Sequence, residues 1–221
     1  MSDFEIGSMS GGPFETNAYI IIDNATKHCA IIDPGYDADK SWGGYITENG
    51  LTLKAIWLTH GHIDHVTGVE VLHRAYPEAE ILIHEDDVPQ LSGPMNTAVA
   101  KNYGLPEYIP VEATGRLREG ENVKIGETEF QVFFTPGHSP GHVVLLNGEQ
   151  LIGGDVIFQG SIGRTDLPGA NYATLANSIV EKIMVLPDET AIYPGHGPAT
   201  TVGAERQSNP FVREMLANVS D

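Results

Sequence analysis

The sequence predicts an α/β fold in which two β-sheets pack together and helices cover their outer faces. Two observations support this prediction: strand-like runs occur both early and late in the chain, and helical segments lie between them. The chain has 221 residues, of which 41% are hydrophobic, and is therefore long enough to bury a full core. We expect one domain over residues 1–221, which is the default at this length.

Apolar runs bounded by turn residues predict four strands in the first half of the chain, over residues 17–22, 29–32, 53–58 and 81–84. Asp33-Pro34-Gly35 stops the second of these strands, because proline and glycine favour turns. A short helix is predicted over residues 69–75. Residues 92–112 contain three prolines and are expected to be irregular, which fits either a lid or substrate loop or an inert surface excursion.

Four further strands are predicted in the second half, over residues 129–134, 143–146, 150–152 and 191–193. Before the last of them, residues 172–186 have helical spacing. The apolar residues that fall on one side of this helix are Leu175, Ile179, Ile183 and Leu186.

The most informative stretch is His60-Gly61-His62-Ile63-Asp64-His65, which follows the predicted strand over residues 53–58. Three imidazoles and one carboxylate fall within six residues, at a turn that can aim several side chains at one point. Neutral imidazoles and carboxylates suit zinc, iron or manganese. The stretch therefore predicts a metal site.

Three more candidate ligands, His138, Asp155 and His196, each follow a predicted strand and come directly after a glycine. Glycine lets the backbone turn sharply and approach a bound ion closely. A lone histidine would favour a turn or core role, but seven candidates at strand ends favour metal binding. The seven are His60, His62, Asp64, His65, His138, Asp155 and His196.

Composition excludes several classes of function. The 12 basic and 30 acidic residues give a net charge of −18, which argues against binding to nucleic acid or to anionic membrane surfaces. The single cysteine, Cys29, excludes an internal disulfide and a cysteine-based zinc site. No apolar stretch approaches the ~20 residues of a membrane span, and the acidic N-terminus lacks the charge pattern of a signal peptide. We therefore expect a cytoplasmic protein.

The candidate ligands resemble the motif of the metallo-β-lactamase-fold hydrolases, and most closely that of glyoxalase II-like (hydroxyacylglutathione hydrolase-like) proteins. The resemblance covers residues 17–196, with the ligands in the family's order. Residues 155–158 and 160–166 also resemble the short bacterial glyoxalase II-like branch. The resemblance implies an αββα sandwich with metals at the strand ends.

The same resemblance implies two divalent metal ions, zinc in the first instance and otherwise iron or manganese. His60, His62 and His138 would hold one ion, Asp64, His65 and His196 would hold the other, and Asp155 would bridge them. Two divalent ions outweigh the charges of two carboxylates and a hydroxide, so the site could accept an anionic substrate despite the net charge of the chain.

The implied reaction is hydrolysis of a small-molecule thioester such as S-lactoylglutathione by a metal-bound hydroxide, which Asp64 could orient. Zinc β-lactamases resemble this pattern but usually lack histidine at the position of His65, and many have cysteine at the position of Asp155, which disfavours that activity. Typical glyoxalase II proteins have a longer, basic C-terminal region. Here only Arg206 and Arg213 are basic after His196, so we expect weak recognition of glutathione.

Other functions remain open. A mononuclear iron persulfide dioxygenase would use a subset of the first-site ligands together with Asp155, so the ligands alone do not separate it from a hydrolase. The substrate could also be another ester or a lactone. A non-catalytic binding protein is disfavoured, because it has no need of two open metal ions.

Neighbouring residues have weaker assignments. Asp33 is either a support for a ligand histidine or a turn residue before Pro34. Arg164 could contact a substrate carboxylate, but a structural ion pair with Asp166 is favoured. His142 is expected to be structural.

Overall fold

Two six-stranded sheets lie face to face in the computed structural model, which describes residues 3–219 apart from the side chains of residues 39, 40 and 219. The strands of the first sheet follow chain order: β1 (Phe4–Gly11), β2 (Thr16–Asp23), β3 (His28–Ile32), β4 (Thr52–Trp57), β5 (Glu80–Ile83) and β6 (Gly115–Arg116). The pairs among β1, β2 and β3 are antiparallel, whereas those from β3 to β6 are parallel.

The second sheet begins with four consecutive antiparallel strands: β7 (Asn122–Ile125), β8 (Thr128–Phe134), β9 (Val143–Asn147) and β10 (Gln150–Gly154). A small hairpin follows, formed by β11 (Ile157–Phe158) and β12 (Ser161–Ile162). β13 (Ala191–Pro194) then pairs in parallel with β10, and β14 (Thr200–Thr201) completes the far edge. The spatial order is β14-β13-β10-β9-β8-β7.

Helices accompany both sheets. Those in the first half are α1 (Ala38–Glu48), α2 (Ile63–Val66), α3 (Val69–Ala75), α4 (Val88–Ser92) and α5 (Pro94–Tyr103), with a 3₁₀ turn at Glu85–Asp87. Those in the second half are α6 (Tyr172–Ser178), which continues as a π-helical segment (Ile179–Ile183), α7 (Val202–Ser208) and α8 (Pro210–Val219). Within residues 3–219, none of these helices combines the length and apolar character that crossing a bilayer requires.

Alternating side chains along the strands separate three apolar layers. Along β2, Ala18, Ile20 and Ile22 pack against α1 and α3, whereas Tyr19 and Ile21 face the second sheet. A third cluster joins the outer face of the second sheet to α6, α7 and α8. The order of layers is therefore αββα, which confirms the predicted fold class.

Aromatic side chains fill the space between the two sheets. Trp57 of β4 and Phe130 of β8 are buried, and their ring centroids lie 5.9 Å apart with an edge-to-face orientation. Phe4 of β1 also meets Phe130 edge to face at 5.6 Å. Contacts of this kind connect the first sheet to the second and fix their separation.

All eight predicted strands are present to within two residues at each end, and the predicted helix over residues 69–75 coincides with α3. The expectation of irregular structure over residues 92–112 is wrong for its first half, which forms α5. Pro94 lies in the first turn of α5, where a missing N–H breaks no helical hydrogen bond. Residues 172–183 are helical as predicted, although the helix ends three residues early.

The elements that were not predicted include β1, α1, β7, α7 and α8. β1 contains two glycines and two serines and lies at the edge of its sheet, so its hydrophobic alternation is weak. α1 contains Gly43 and Gly44, which each disfavour a helix by about 1 kcal/mol relative to alanine. Its burial of Trp42 and Ile46 against the sheet outweighs this cost.

The ends of several strands meet at one end of the sandwich. β8, β10 and β13 run in the same direction, because β9 is antiparallel to both β8 and β10, and β13 is parallel to β10. An isolated bridge between Thr16 and His196 connects the start of β2 to the end of β13. The N–H of Val143 donates to the carbonyl of Thr59 at 2.9 Å, which connects β9 to the segment after β4.

A buried carboxylate joins the sheets at the opposite end of β2. Asp23 is 1% exposed and accepts hydrogen bonds from the N–H and hydroxyl of Thr26, at 2.8 and 2.7 Å. It also accepts from the N–H of Glu127 and the hydroxyl of Thr128 in the second sheet, at 3.0 and 2.9 Å. Burial alone would raise the pKa of Asp23, but these hydrogen bonds lower it to about 2.

We expect the contribution of Asp23 to stability to depend on pH. Its pKa is lower in the folded state than in the unfolded state, so the stabilisation is complete above about pH 4 and is lost as the pH falls toward 2. Asp23→Asn should therefore lower the free energy of unfolding at pH 7, and the difference from wild type should shrink between pH 4 and 2. Urea denaturation across this range measures it. A difference that does not change with pH would contradict the assignment.

Candidate metal centre

The first ligand cluster follows β4. Asp33, at the end of β3, accepts hydrogen bonds from the N–H and hydroxyl of Thr59 at 2.8 and 2.6 Å, and this fixes the chain just before His60. The short helix α2 then carries Asp64 and His65. The Nδ1 atom of His65 lies 2.9 Å from Asp33, which leaves its Nε2 atom directed away from Asp33. Of the two roles considered for Asp33, the structure favours support of a candidate ligand.

Three of the other candidate ligand histidines are each oriented by a nearby group. Nδ1 of His60 lies 3.0 Å from the hydroxyl of Thr59. Nδ1 of His138 lies 2.9 Å from the carbonyl of Arg164, and Nδ1 of His196 lies 3.0 Å from the carbonyl of Phe14. Such contacts fix the tautomer and ring orientation of a histidine and leave Nε2 available as a ligand atom.

The seven predicted ligands come together at the end of the sandwich. Six of them form two groups, each with its ligand atoms within 4.8 Å of one another: His60, His62 and His138 in one, and Asp64, His65 and His196 in the other. A third combination includes Asp33, but Asp33 is already bonded to Thr59 and His65.

Asp155 lies between the two groups. Its Oδ2 atom is 3.4 Å from Nε2 of His138 in the first group and 3.5 Å from Nε2 of His196 in the second. Its Oδ1 atom is 3.4 Å from Nε2 of His65. One carboxylate therefore contacts ligand atoms of both groups, which is the position that a bridging ligand requires.

The donor set fits divalent cations. Among the seven candidate ligands, three side-chain atoms are buried and have no hydrogen-bond partner: Nε2 of His60, Nε2 of His65 and Oδ1 of Asp155. Leaving a buried polar atom unpaired costs about 1–3 kcal/mol, and all three face one centre. A cation would accept the lone pairs of all three.

The pKa values follow from burial and from the neighbouring charges. Burial lowers the pKa of His62 to about 3, with repulsion from His138 adding to the effect, and it likewise lowers the pKa of His60. Burial would also lower the pKa of His65, but the carboxylates of Asp155 and Asp64 outweigh it and raise that pKa. Neutral His60 and His62 are in the form that binds a cation, which would in turn displace the proton from His65.

Glycine at position 195 is required by close packing. A Cβ atom there would lie 2.1 Å from Oδ1 of Asp155 and 2.7 Å from Cε1 of His65. The residue before His196 must therefore lack a side chain for Asp155 to reach the centre.

Two side chains that support the centre, His142 and Asp87, were not recognised as supports from the sequence. His142, expected only to be structural, is buried and its Nε2 atom accepts the backbone N–H of Asp155 at 3.0 Å. Asp87 is buried and accepts hydrogen bonds from the N–H groups of Gly61 and Gly141. Gly61 lies between the candidate ligands His60 and His62. Asp87 comes directly after two other acidic residues, so nothing in the sequence distinguished it from an exposed acidic residue.

The segment after Asp155 forms one wall beside the centre. The ring centroid of Phe158 lies 5.9 Å from that of His196. The carboxylate of Glu205 accepts the N–H of Gly160 at 2.8 Å, and the side chain of Asn209 donates to the carbonyl of Ser161 at 2.9 Å. Helix α7 and the residue that joins it to α8 therefore hold the β11–β12 hairpin in place.

Arg164 pairs with Asp166, as predicted. Two parallel hydrogen bonds of 2.7 and 2.8 Å join the guanidinium to the carboxylate, and both side chains are exposed. The pair lies next to the centre, because the carbonyl of Arg164 contacts His138.

Comparison with known proteins identifies the family. The family model described as the metallo-beta-lactamase superfamily matches residues 11–196, which include all seven candidate ligands. The chain belongs to the metallo-beta-lactamase superfamily. It is a metal-dependent hydrolase of this superfamily, with clusters of histidine and aspartate that are able to bind metal.

One curated member of the superfamily, hydroxyacylglutathione hydrolase GloC from Haemophilus influenzae, is 38% identical over 204 residues, which cover 90% of this chain and 93% of GloC. Two solved structures are also similar. BLEG-1 B3 metallo-beta-lactamase is 36% identical with a TM-score of 0.87, over 94% of this chain and 99% of that chain. TTHA1623 in a di-iron-bound form is 38% identical with a TM-score of 0.83, over 93% of this chain and 99% of that chain.

We expect Asp155→Ala to lose metal, because Asp155 contacts both ligand groups. Wild-type protein purified with excess metal should contain about two ions per chain, and the variant at most about one. Elemental analysis by mass spectrometry measures this. Asp166→Ala is the matched control, since Asp166 is an exposed carboxylate on the same segment. Equal metal loss in the two variants would contradict the role of Asp155.

Proposed function

We propose that this chain is a glyoxalase II-like hydrolase of small-molecule thioesters that uses two divalent metal ions, zinc or iron. The observation that carries this proposal is the position of Asp155, whose carboxylate contacts ligand atoms of both groups. His60, His62 and His138 would hold one ion and Asp64, His65 and His196 the other. The di-iron-bound form of the 38% identical TTHA1623 supports a two-metal centre.

Bound divalent ions supply an ionised water at neutral pH and polarise a substrate carbonyl. The side chains of this protein prepare the centre for that chemistry. Burial would raise the pKa of Asp64, but His65 and His196 lower it to about 2, so Asp64 is ionised at neutral pH. Thr16 donates to Oδ2 of Asp64 at 2.9 Å and fixes its orientation, so that Asp64 can accept a hydrogen bond from the attacking water.

A thioester is a suitable substrate for these groups. The leaving thiolate has a conjugate-acid pKa of about 8.5, so it departs without a strong general acid. The site therefore needs only to position the carbonyl and to exclude bulk water. The ring centroid of Phe158 lies 5.9 Å from that of His196, and this ring would supply an apolar surface for the acyl group.

Similarity to GloC supports a hydroxyacyl thioester as the substrate. The basic residues of the C-terminal helices give less support for a specific glutathione site. Arg206 donates to the carbonyls of Met184 and Leu186 at 2.8 and 3.1 Å and also pairs with Asp188. It is engaged in holding α7 against the π-helical segment, so we propose that the glutathione part contributes little to binding.

Hydrolysis of β-lactams is a second candidate, favoured by similarity to the BLEG-1 structure. Both reactions add water to a carbonyl carbon, and the same ligands could serve either. We favour the thioester because the centre has histidine at position 65 and aspartate at position 155. A one-iron persulfide dioxygenase and hydrolysis of another ester or a lactone remain alternatives that the same assays address.

We expect the metal-loaded protein to hydrolyse S-lactoylglutathione with a high KM and little preference over S-lactoyl-N-acetylcysteamine, which carries the same acyl group. When an interaction made equally in the ground state and the transition state is missing, KM rises and kcat stays largely unchanged. The values of kcat/KM for the two substrates should therefore agree within about 10-fold. Steady-state kinetics on both substrates measure this.

Several outcomes would contradict the proposal. Tight and selective saturation by S-lactoylglutathione would show a glutathione site made by other residues. Faster turnover of a chromogenic cephalosporin than of either thioester would favour a β-lactamase, and oxygen uptake with glutathione persulfide would favour the dioxygenase. Chelated, metal-free protein is the control for all assays and should lose thioesterase activity.

A further inference from the structure

The carboxylate of Asp87 lies behind the first ligand group. Asp87 ends the 3₁₀ turn that follows β5, and its side chain is fully buried. Oδ2 accepts the N–H of Gly61 at 2.9 Å and the hydroxyl of Ser139 at 2.7 Å. Oδ1 accepts the N–H of Gly141 at 2.6 Å. One side chain therefore contacts two loops that are 80 residues apart in the sequence, at Gly61 and Gly141.

These two loops carry the whole of the first ligand group. Gly61 separates His60 from His62, and Ser139 directly follows His138. The distance between the two loops sets the distance between their histidines, and Nδ1 of His62 lies 2.9 Å from Nε2 of His138. Asp87 is the described side chain that hydrogen-bonds to both loops at once.

The chemistry of the contacts requires a carboxylate. Both backbone partners are N–H groups, which can only donate, and the two oxygens of an aspartate can accept both. In asparagine one oxygen is replaced by an amide, which would place N–H against N–H. The fit is also tight, because a Cβ at Gly61 would lie 3.0 Å from the carbonyl oxygen of Asp87 and one at Gly141 2.9 Å from its Cβ.

A second side chain holds Gly61 through its carbonyl. Asn96 of α5 is 1% exposed, and its amide donates to the carbonyls of Gly61 and Gln90 at 2.9 and 3.0 Å. Asp87 thus binds the N–H of Gly61 while Asn96 binds its carbonyl. The start of residues 92–112, which the sequence left open as a lid or an inert excursion, supports the ligand loop instead.

The second ligand group has different supports. Asp33 contacts His65, Thr16 contacts Asp64 and the carbonyl of Phe14 contacts His196. Among the described residues, the hydrogen-bond partners of Asp87 are Gly61, Gln90, Ser139 and Gly141, and none of them is one of these three ligands. A change at Asp87 should therefore act on one half of the centre.

We propose that Asp87 is a positioning residue that sets the spacing of His60, His62 and His138 before a cation binds. The proposal rests on the metal centre proposed above. Loss of the Asp87 carboxylate should loosen the two loops, weaken the first cation site by about 10- to 100-fold and leave the second site close to its wild-type affinity.

The test compares Asp87→Asn with Asp23→Asn. Both residues are buried carboxylates that accept backbone N–H and hydroxyl donors from two separate segments, but Asp23 lies at the other end of the sandwich. Titration of each metal-free protein with Co²⁺, followed by absorption and calorimetry, gives the affinities of both sites. We expect Asp87→Asn to weaken one binding step selectively and Asp23→Asn to leave both steps unchanged, even if the two variants lose similar thermal stability.

A second measurement is independent of metal. Amide hydrogen exchange of the metal-free proteins should be faster in residues 60–62 and 138–142 of the Asp87→Asn variant and unchanged there in Asp23→Asn. If Asp87→Asn fails to fold, Ser139→Ala removes one contact without leaving a backbone N–H unpaired, and should give a smaller effect of the same kind.

The outcomes separate the two proposals. Equal weakening of both cation sites, or unchanged exchange in the two loops, would overturn the role of Asp87. Wild-type protein that binds no Co²⁺ would overturn the metal centre itself, whereas faster exchange confined to the two loops would still support positioning by Asp87.

Discussion

Packing of the two sheets against each other is the constraint on which the metal centre depends. His60, His62, Asp64 and His65 follow a strand of the first sheet, whereas His138, Asp155 and His196 follow strands of the second. Each ligand group therefore includes residues from both sheets. Contacts such as that between Trp57 and Phe130 therefore help to determine how far apart the ligands lie. A core of rigid aromatic rings holds that distance more closely than flexible side chains would.

Burying many titratable groups close together is unfavourable if most of them are charged. In this protein, most of the histidines are held by neutral hydrogen-bond partners. His60 and His138 contact a hydroxyl or a carbonyl through Nδ1, and only His65 has a carboxylate there, from Asp33. Most of the imidazoles are thus fixed without added negative charge. The carboxylates that face the centre, Asp64 and Asp155, remain to balance bound cations.

The sequence predicted much of the fold and little of the support around the site. Strands such as 17–22 were evident because β-branched residues form unbroken runs, and His60 to His65 was evident because ligand spacing is local. Asp87 was not, since its partners Gly61 and Gly141 are far from it in sequence and are themselves ordinary turn residues. α5 was hidden by Pro94, which can start a helix as readily as it can interrupt one. The spatial grouping of the seven ligands required knowledge of which strands are neighbours.

The fastening of the β11–β12 hairpin has a consequence for how such a protein can change over evolutionary time. Glu205 and Asn209 bind backbone atoms of Gly160 and Ser161, not their side chains. Side chains on the hairpin, including Phe158 beside His196, can therefore be exchanged without loosening it. Asp155 lies on the same segment but is held separately through His142. Substitutions in the hairpin can therefore change the substrate preference while the ligands keep their positions, so one fold can give rise to hydrolases of different selectivity.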